Sequence, residues 1–232
     1  MKTLLVTGAS KGIGFSIAKM FLEDGYTVVN LSRTRAPDDR IENLPVDLSL
    51  PEAGDQLQKL LTNRFDPGQI CLVHNAAIMV NDTAADSDTA TFRDVLNINV
   101  VGPHILNQLL IPVMQPGSSI IYIGSTLSEK AVPNTYSYVV SKHAMIGMMR
   151  ATCQDLTGTG IHTTCICPGF TDTEMLRVHV GSDTAVLQDI ASTSTFGRLI
   201  EPDEIAATVK FAAENAVING AVLHANLGQI ES

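Results

Sequence analysis

The sequence predicts one α/β domain with a doubly wound parallel sheet in three layers, and three observations support this fold class. Five short apolar or β-branched runs have the pattern of strands, at residues 3–6, 27–31, 70–73, 119–123 and 162–167. Segments of helical length separate them, as in right-handed βαβ crossovers. No repeat or Ser/Gly-rich linker interrupts the alternation over 232 residues, so we expect a single domain, 1–232.

The composition excludes several classes of function. A formal net charge of −9 disfavours binding to DNA or RNA, which requires clustered Lys and Arg. The first apolar run, Leu4-Leu5-Val6, ends at Thr7-Gly8 and is far too short for a signal peptide or a membrane span. The four cysteines lack paired C-x-x-C spacing and the six histidines are dispersed. We therefore expect core thiols in a cytoplasmic protein, no membrane attachment and no catalytic metal.

The first strand runs into a glycine-rich turn and then a helix. The turn reads Thr7-Gly8-Ala9-Ser10-Lys11-Gly12-Ile13-Gly14, and residues 15–22 have helical spacing. Glycine permits backbone angles and close approaches that a Cβ blocks, and a helix N-terminus presents free N–H groups to a pyrophosphate. A tight loop without a ligand has a similar composition. The dinucleotide interpretation assigns cofactor contacts to Gly8, Ser10, Lys11, Gly12, Ile13 and Gly14.

The end of the second strand indicates which dinucleotide is preferred. Nucleotide-binding sheets place an acid there for a free ribose 2′-hydroxyl, whereas Arg favours a 2′-phosphate. Here the strand ends in Asn30-Leu31-Ser32-Arg33 without a carboxylate, and Lys11 approaches from the glycine turn. The two cations favour NADP over NAD; the alternative is that both are solvated surface charges.

Two further segments are candidates for cofactor contacts. Asp47, followed by Leu48, either accepts a hydrogen bond from an adenine amino group or caps the next helix, and the two roles are compatible. Asn75, Ala76 and Ala77 follow the strand at residues 70–73, and their small size allows a ligand to approach closely. Tight packing alone predicts the same small residues.

The strongest chemical signal is the pair Tyr138 and Lys142 at the start of a helical stretch. A separation of four residues places both side chains on one helix face. A nearby ammonium favours phenolate, so we expect the pKa of Tyr138 to fall below its usual value of about 10, towards the range of an acid/base catalyst. Tyr136 lacks such a partner, because Val140 lies four residues beyond it.

Ser125 follows the strand at residues 119–123 after one glycine. Its hydroxyl is therefore expected at the carboxyl edge of the sheet, where open α/β folds bind ligands. A Y-x-x-x-K pair alone is usually structural. A chain that also has Gly-Ser at a strand end and a glycine turn is much less frequent by chance.

Residues 171–197 differ in composition from the rest of the chain. They are rich in Thr, Ser and Asp, carry scattered apolar residues and follow the last predicted strand. This composition favours a mobile lid over a substrate site rather than a layer of the core.

With these motifs the chain resembles the short-chain dehydrogenase/reductase family, whose fold is Rossmann-like. The resemblance covers nearly the whole chain and rests on the T-G-x-x-x-G-x-G turn, the N-A-A segment, Ser125, Tyr138, Lys142 and Pro168-Gly169. It implies a sheet of about seven strands and a homodimer or homotetramer. It also implies that Tyr138 is the catalytic acid/base, that Ser125 donates to the substrate oxygen, and that Lys142 holds the nicotinamide ribose.

The same resemblance implies further site residues. Asn99 matches the family asparagine that supports a water-filled proton relay to the lysine, and Asn97 is the weaker candidate. The segment that meets the nicotinamide carboxamide is matched by Pro168, Gly169, Thr171 and Thr173. The chain departs from the family pattern at His74 and Ala77, where N-N-A-G is usual, and at residues 226–228, where Asp-Gly-Gly is common.

The sequence therefore predicts an oxidoreductase that uses NADP(H) to interconvert an alcohol and a carbonyl, such as a ketone, an aldehyde or a 3-oxoacyl group. The alternative is an NADP-binding sensor or regulatory protein with the same fold and no turnover. The presence of Ser125, Tyr138 and Lys142 together favours the enzyme. The partner is expected to be a small molecule whose identity the fold does not reveal.

Overall fold

A computed structural model describes residues 2–62, 64–65, 68–181 and 183–229. Seven parallel strands form one sheet in the order β3-β2-β1-β4-β5-β6-β7, which confirms the predicted doubly wound architecture. The strands are β1 Lys2–Thr7, β2 Thr27–Leu31, β3 Glu42–Leu44, β4 Gln69–His74, β5 Ser119–Ile123, β6 His162–Pro168 and β7 Val222–Ala225.

Helices connect the strands and cover the sheet. They are α1 Gly12–Glu23, α2 Ala53–Leu61, α3 Thr89–Leu96, α4 Gly102–Leu110, α5 Tyr136–Asp155, α6 Glu174–Val180, α7 Thr184–Ser192 and α8 Pro202–Glu214. A π-helical turn, Asn97–Val101, joins α3 to α4. No helix within the described ranges is long and apolar enough to cross a membrane.

Each face of the sheet has its own apolar core, because alternate residues of a strand point to opposite faces. One core packs strand residues such as Leu5 and Leu72 against α2, α4 and α5. The other packs residues such as Leu4 and Val73 against α1 and α8. The four cysteines are free thiols, three of them buried and Cys153 half-buried.

The strand order reverses between β1 and β4. The chain leaves β1 towards β2 and β3 on one side, and continues from β4 towards β7 on the other. Crossovers therefore diverge at the carboxyl ends of β1 and β4 and leave a crevice there, which is where open α/β sheets bind ligands.

The predicted lid, residues 171–197, contains two short helices. Helix α6 begins at Glu174 and α7 ends at Ser192, while position 182 lies outside the described residues. Thr173 and Asp183 cap the two helices with their side chains.

Candidate active site

A cavity of about 600 Å³ occupies the crevice and runs from the end of β2 to the lid. The structure brings together nearly all the residues predicted for the site. Its walls include the predicted residues Gly8, Ser10, Lys11, Gly12, Ile13, Gly14, Arg33, Asp47, Leu48, Asn75, Ala76, Ala77, Ser125, Tyr138, Lys142, Pro168, Gly169, Thr171 and Thr173. Asn99 lies behind the wall and not on it.

The glycine turn after β1 has a shape that side chains would prevent. Gly8 and Gly12 have φ values of +73° and +56°, in the left-handed region that favours glycine. A Cβ on Gly14 would lie 2.3 Å from the carbonyl oxygen of Gly8. The turn can therefore fold back tightly onto the start of α1.

Helix α1 begins at this turn without a side-chain cap. Lys11 occupies the capping position in an extended conformation, and no side chain accepts from the first helical N–H groups. The first turn of a helix has no intrahelical partners for its N–H groups, which carry a partial positive charge. The start of α1 on the cavity wall thus fits a phosphate group.

Thr7 and Asn75 hold the glycine turn against the end of β4. The Thr7 hydroxyl accepts from the backbone N–H groups of Asn75 at 3.0 Å and Ala76 at 2.9 Å. The Asn75 amide donates to the carbonyl oxygens of Thr7 and Gly8. The side chain of Asn75 therefore shapes the cofactor end of the cavity through the protein backbone.

The predicted 2′-phosphate cations lie at this end of the cavity, and both have acidic neighbours. The Lys11 ammonium lies 2.7 Å from a carboxylate oxygen of Glu174 at the start of the lid. The Arg33 guanidinium lies 3.8 Å from Asp47. Asp47 also accepts from the backbone and hydroxyl of Ser49, which lowers its pKa. Asp47 thus caps the turn before α2 while remaining on the cavity wall.

Ser125, Tyr138 and Lys142 lie together at the carboxyl end of β5. The Ser125 side chain lies close to the Tyr138 phenol and opposes part of the rise in its pKa. The Lys142 ammonium donates to the carbonyl oxygen of Ile123 at 2.7 Å and lies 5.4 Å from the centre of the Tyr138 ring. Tyr136, in contrast, is exposed and stacks on Phe92 at 5.9 Å.

The expected depression of the Tyr138 pKa is wrong. Burial raises the pKa of Tyr138 to about 12, and the neighbouring Ser125 side chain only partly opposes this. Burial also lowers the pKa of Lys142 to about 8. Desolvation disfavours both charged forms, and it exceeds the attraction that the sequence spacing suggested.

Asn99 is buried in the π-helical turn between α3 and α4. Its side chain accepts from the backbone N–H of Ile78 at 2.9 Å and donates to the carbonyl oxygen of Ile78 and the hydroxyl of Ser141. Asn99 therefore connects the segment after β4 with α5 at Ser141, the residue directly before Lys142. Asn97 instead donates to the carbonyl oxygen of Ser49.

Comparisons with known proteins agree with this geometry. The family model described as enoyl-(acyl carrier protein) reductase matches residues 8–229. A solved short chain dehydrogenase family protein from Francisella tularensis superposes with a TM-score of 0.90 at 26% identity, covering 98% of each chain.

The chain belongs to the short-chain dehydrogenase/reductase family. Among curated relatives of this oxidoreductase family, the 3-oxoacyl-[acyl-carrier-protein] reductase FabG of Vibrio cholerae is 28% identical, covering 98% of this chain and 96% of its own. The angucycline C-6 ketoreductase LanV, solved with bound NADP, has a TM-score of 0.84 and 27% identity, covering 98% and 95%.

The segment after β6 forms part of the wall of the cavity. A Cβ on Gly169 would lie 3.0 Å from Asn226, so the backbone at Gly169 lies close to the segment after β7. Thr173 caps α6 and lies beside Gly12 of the glycine turn. The start of the lid is thereby packed on the cofactor end of the cavity.

Sequence reasoning missed residues that position the site from behind. Asn30 accepts from the N–H of Ala9 and donates to Asn43, which ties β2 to the glycine turn and to β3. A Cβ on Gly124 would lie 2.8 Å from Sγ of Cys165 and 2.9 Å from Sγ of Cys167, so β5 and β6 approach closely just before Ser125. The position of Asn30 in a strand was a signal, since a buried strand amide requires partners.

Proposed function

We propose that the protein is a carbonyl reductase that uses NADPH in preference to NADH and also catalyses the reverse oxidation. The observation that carries the proposal is that Ser125, Tyr138 and Lys142 share a cavity with a glycine turn fitted to a dinucleotide. Binding alone does not require a buried phenol close to a serine hydroxyl and a buried amine. Acid/base chemistry at an oxygen atom does require a proton donor placed in this way.

The residues divide the chemistry between them. Bound NADPH supplies hydride to the carbonyl carbon. The Tyr138 phenol donates its proton to the carbonyl oxygen as negative charge develops there, and the Ser125 hydroxyl donates a hydrogen bond to the same oxygen. The protonated Lys142 stabilises the phenolate that remains, and its ammonium is held in place by the Ile123 carbonyl. Asn99 positions α5 through Ser141.

The cofactor end supports the choice of NADP. The free N–H groups of α1 fit the pyrophosphate. Arg33 and Lys11, both on the cavity wall, offer positive charge for a 2′-phosphate, and the described end of β2 carries no carboxylate for a 2′-hydroxyl. The relative LanV was solved with bound NADP.

The proposal is tested by replacing Tyr138 with Phe, which keeps the ring and its packing and removes the proton donor. We expect folding and NADPH binding to survive and kcat to fall by at least about 10²-fold, as is typical for loss of a general acid. The measurement is the oxidation of NADPH with one reducible ketone, followed by absorbance.

Tyr136→Phe is the matched control, because Tyr136 lies two residues away on the same helix with an exposed ring. It should retain nearly full activity. Near-normal turnover of Tyr138→Phe, or a larger loss for Tyr136→Phe, would show that the proton donor is misassigned. Tight NADPH binding without turnover of any aldehyde, ketone, 3-oxoacyl thioester or alcohol would favour the sensor.

We also propose that the chain forms a homodimer or homotetramer, as the family resemblance implies. Light scattering after size-exclusion chromatography is expected to give two or four times the mass of the chain. A monomer mass at micromolar concentration would contradict this.

A further inference from the structure

We infer that the substrate is an uncharged carbonyl compound whose body, beyond the reacting group, is hydrocarbon. The inference rests on the proposed function and names the substrate class of the same site. It starts from the half of the cavity that lies beyond Ser125 and Tyr138. The apolar side chains of that half come from the loop after β5 and from the lid: Leu127, Val132, Met175, Leu176, Val180 and Ile190.

Among the described residues, the cations on or next to the lid already have a partner. Lys11 is paired with Glu174 at 2.7 Å, and the Arg177 guanidinium with Asp172 at 2.6 Å. The Lys142 ammonium donates to the Ile123 carbonyl. Among the described residues of the lid, His179 is the one ionisable side chain on the wall without an ion-pair partner. A carboxylate on the substrate body would therefore lose its hydration without gaining a charged partner, which is costly.

Polar groups are also few in this half. Apart from the segment assigned to nicotinamide and the Glu174 carboxylate, which is paired with Lys11, the polar side chains on its described walls beyond Ser125 and Tyr138 are Thr126, His179 and Gln229. Gln229 has a buried side-chain oxygen without a hydrogen-bond partner. A polyhydroxylated substrate needs a partner for each of its hydroxyl groups, because unpaired buried polar groups reduce binding. These walls offer few polar partners beside their many apolar side chains, which fits a hydrocarbon body.

Some of the apolar wall is open to solvent. Val132, Met175 and Phe170 line the cavity and have exposed fractions of 49%, 42% and 38%. Large apolar side chains that face a cavity and remain exposed provide surface for an apolar ligand to cover. Binding a hydrocarbon body would remove this apolar surface from water. A sugar-like body would place hydroxyl groups against it and would gain little binding free energy.

The first test compares two ketones that differ at one end. In 2-octanone the chain ends in a methyl group, and in 7-oxooctanoate a carboxylate replaces that methyl. We expect kcat/KM to rise about three- to fourfold per methylene from 2-butanone to 2-octanone, because each buried CH₂ contributes a transfer free energy of that size. We expect 7-oxooctanoate to have a kcat/KM lower than that of 2-octanone by about 100-fold or more.

The second test moves a charge onto the lid. Leu176→Lys places an ammonium on the cavity wall, whereas Val178→Lys places the same charge on the same helix, where the side chain is 79% exposed and off the wall. Leu176→Lys is expected to lower kcat/KM for 2-octanone and raise it for 7-oxooctanoate by about tenfold or more, as a new buried charge partner would. Val178→Lys should resemble the parent protein with both ketones.

The possible outcomes separate this inference from the proposed function. A kcat/KM for 7-oxooctanoate or an aldohexose equal to or above that for 2-octanone, with turnover still dependent on Tyr138, overturns the inference and leaves the carbonyl reductase intact. Failure to turn over any carbonyl contradicts the proposed function instead.

In that case calorimetric titration with octanamide and its ω-carboxylate analogue, in the presence of NADPH, decides the inference. Tighter binding of octanamide supports the inference, and equal or weaker binding of octanamide overturns it.

Discussion

Tyr138 and Lys142 show how burial reorders the titration of two side chains. In water a tyrosine loses its proton slightly before a lysine. In this site burial raises the pKa of Tyr138 to about 12 and lowers that of Lys142 to about 8. As pH rises, Lys142 therefore loses its proton while the Tyr138 phenol keeps its own. The Tyr138 phenol therefore keeps its proton throughout the physiological pH range. The group that titrates is Lys142, whose positive charge stabilises the phenolate.

This order predicts the pH dependence of reduction. A lysine with a lowered pKa is charged below that pKa and neutral above it, so kcat/KM for a ketone should be level below about pH 8 and fall as pH rises through about 8. The measurement is the pH profile of kcat/KM from pH 6 to pH 10. Lys142→Arg keeps its charge over this range and should lose the alkaline limb, although at a lower rate. An unchanged alkaline limb in Lys142→Arg would assign the titration to another group.

Arg33 carries the predicted preference for NADP. Replacing it with Ala removes a charge-assisted contact to the 2′-phosphate, and such contacts contribute about 1.5–3 kcal/mol. Because the side chain is 66% exposed and near Asp47, we expect a loss at the lower end of this range of free energy. The KM for NADPH should then rise about tenfold, and the KM for NADH should change little. Arg35→Ala is the matched control, since Arg35 is exposed and off the described cavity wall. An equal loss for both cofactors in Arg33→Ala would reject the assignment.

At the scale of elements, strands with a strong pattern were predicted and weakly patterned edge strands were not. The runs at residues 27–31 and 119–123 match β2 and β5, because buried strands of a parallel sheet are apolar throughout. The three residues of β3 and the four of β7 lie at the edges of the sheet, and β7 is only partly buried. Their hydrogen bonds to β2 and β6 define them as strands, and these partners are distant in sequence.

The lid shows a second limit of sequence reasoning. Its Thr, Ser and Asp residues suggested a lid without indicating its secondary structure, whereas Thr173 and Asp183 are the caps of two helices. Polar residues of this kind favour both loops and helix starts, so composition alone does not distinguish them. The contact of Lys11 with Glu174 is also absent from any local pattern, because the two residues are distant in sequence and meet only in the folded chain.

The residues of the candidate site were predicted better than the residues that position them from behind. Glycine spacing and the Tyr138–Lys142 separation are local patterns with a direct geometric meaning, and these residues meet on one cavity. Asn30, Gly124 and the buried pair Cys165 and Cys167 act through neighbours on other strands. Their effects depend on register, which the sequence does not reveal without the sheet order.

At the scale of the whole molecule, a buried polar chain links four elements on one face of the sheet. His74 at the end of β4 contacts Asn107 on α4 at 2.9 Å, and Asn107 donates to the hydroxyl of Tyr122 on β5. That hydroxyl lies 3.4 Å from the Thr152 hydroxyl on α5. The Nδ1 atom of His74 is buried without a partner. His74, a departure from the family pattern, thus lies in the core as a neutral ring.

This neutral ring predicts a specific sensitivity of the fold to acid. Burial lowers the pKa of His74 to about 4, whereas the unfolded chain has the ordinary value of about 6.5. Between these values the unfolded state binds more protons than the folded state, so the free energy of unfolding falls as pH falls from about 6.5 to about 4. The loss attributable to His74 between pH 7 and pH 5 is on the order of 2 kcal/mol.

His74→Gln tests this prediction, because a glutamine amide can reach Asn107 from the position of Nε2 and does not titrate. The measurement is urea unfolding at pH 7 and pH 5 for the parent protein and the variant. The variant should lose about 2 kcal/mol less stability between the two pH values. Carboxylates with lowered pKa values, such as Asp38 and Glu204, destabilise both proteins equally in acid and cancel in the difference. His143→Gln, an exposed change on α5, is expected to follow the parent protein. Equal acid losses in parent and His74→Gln would mean that the buried ring accepts a proton within the folded core.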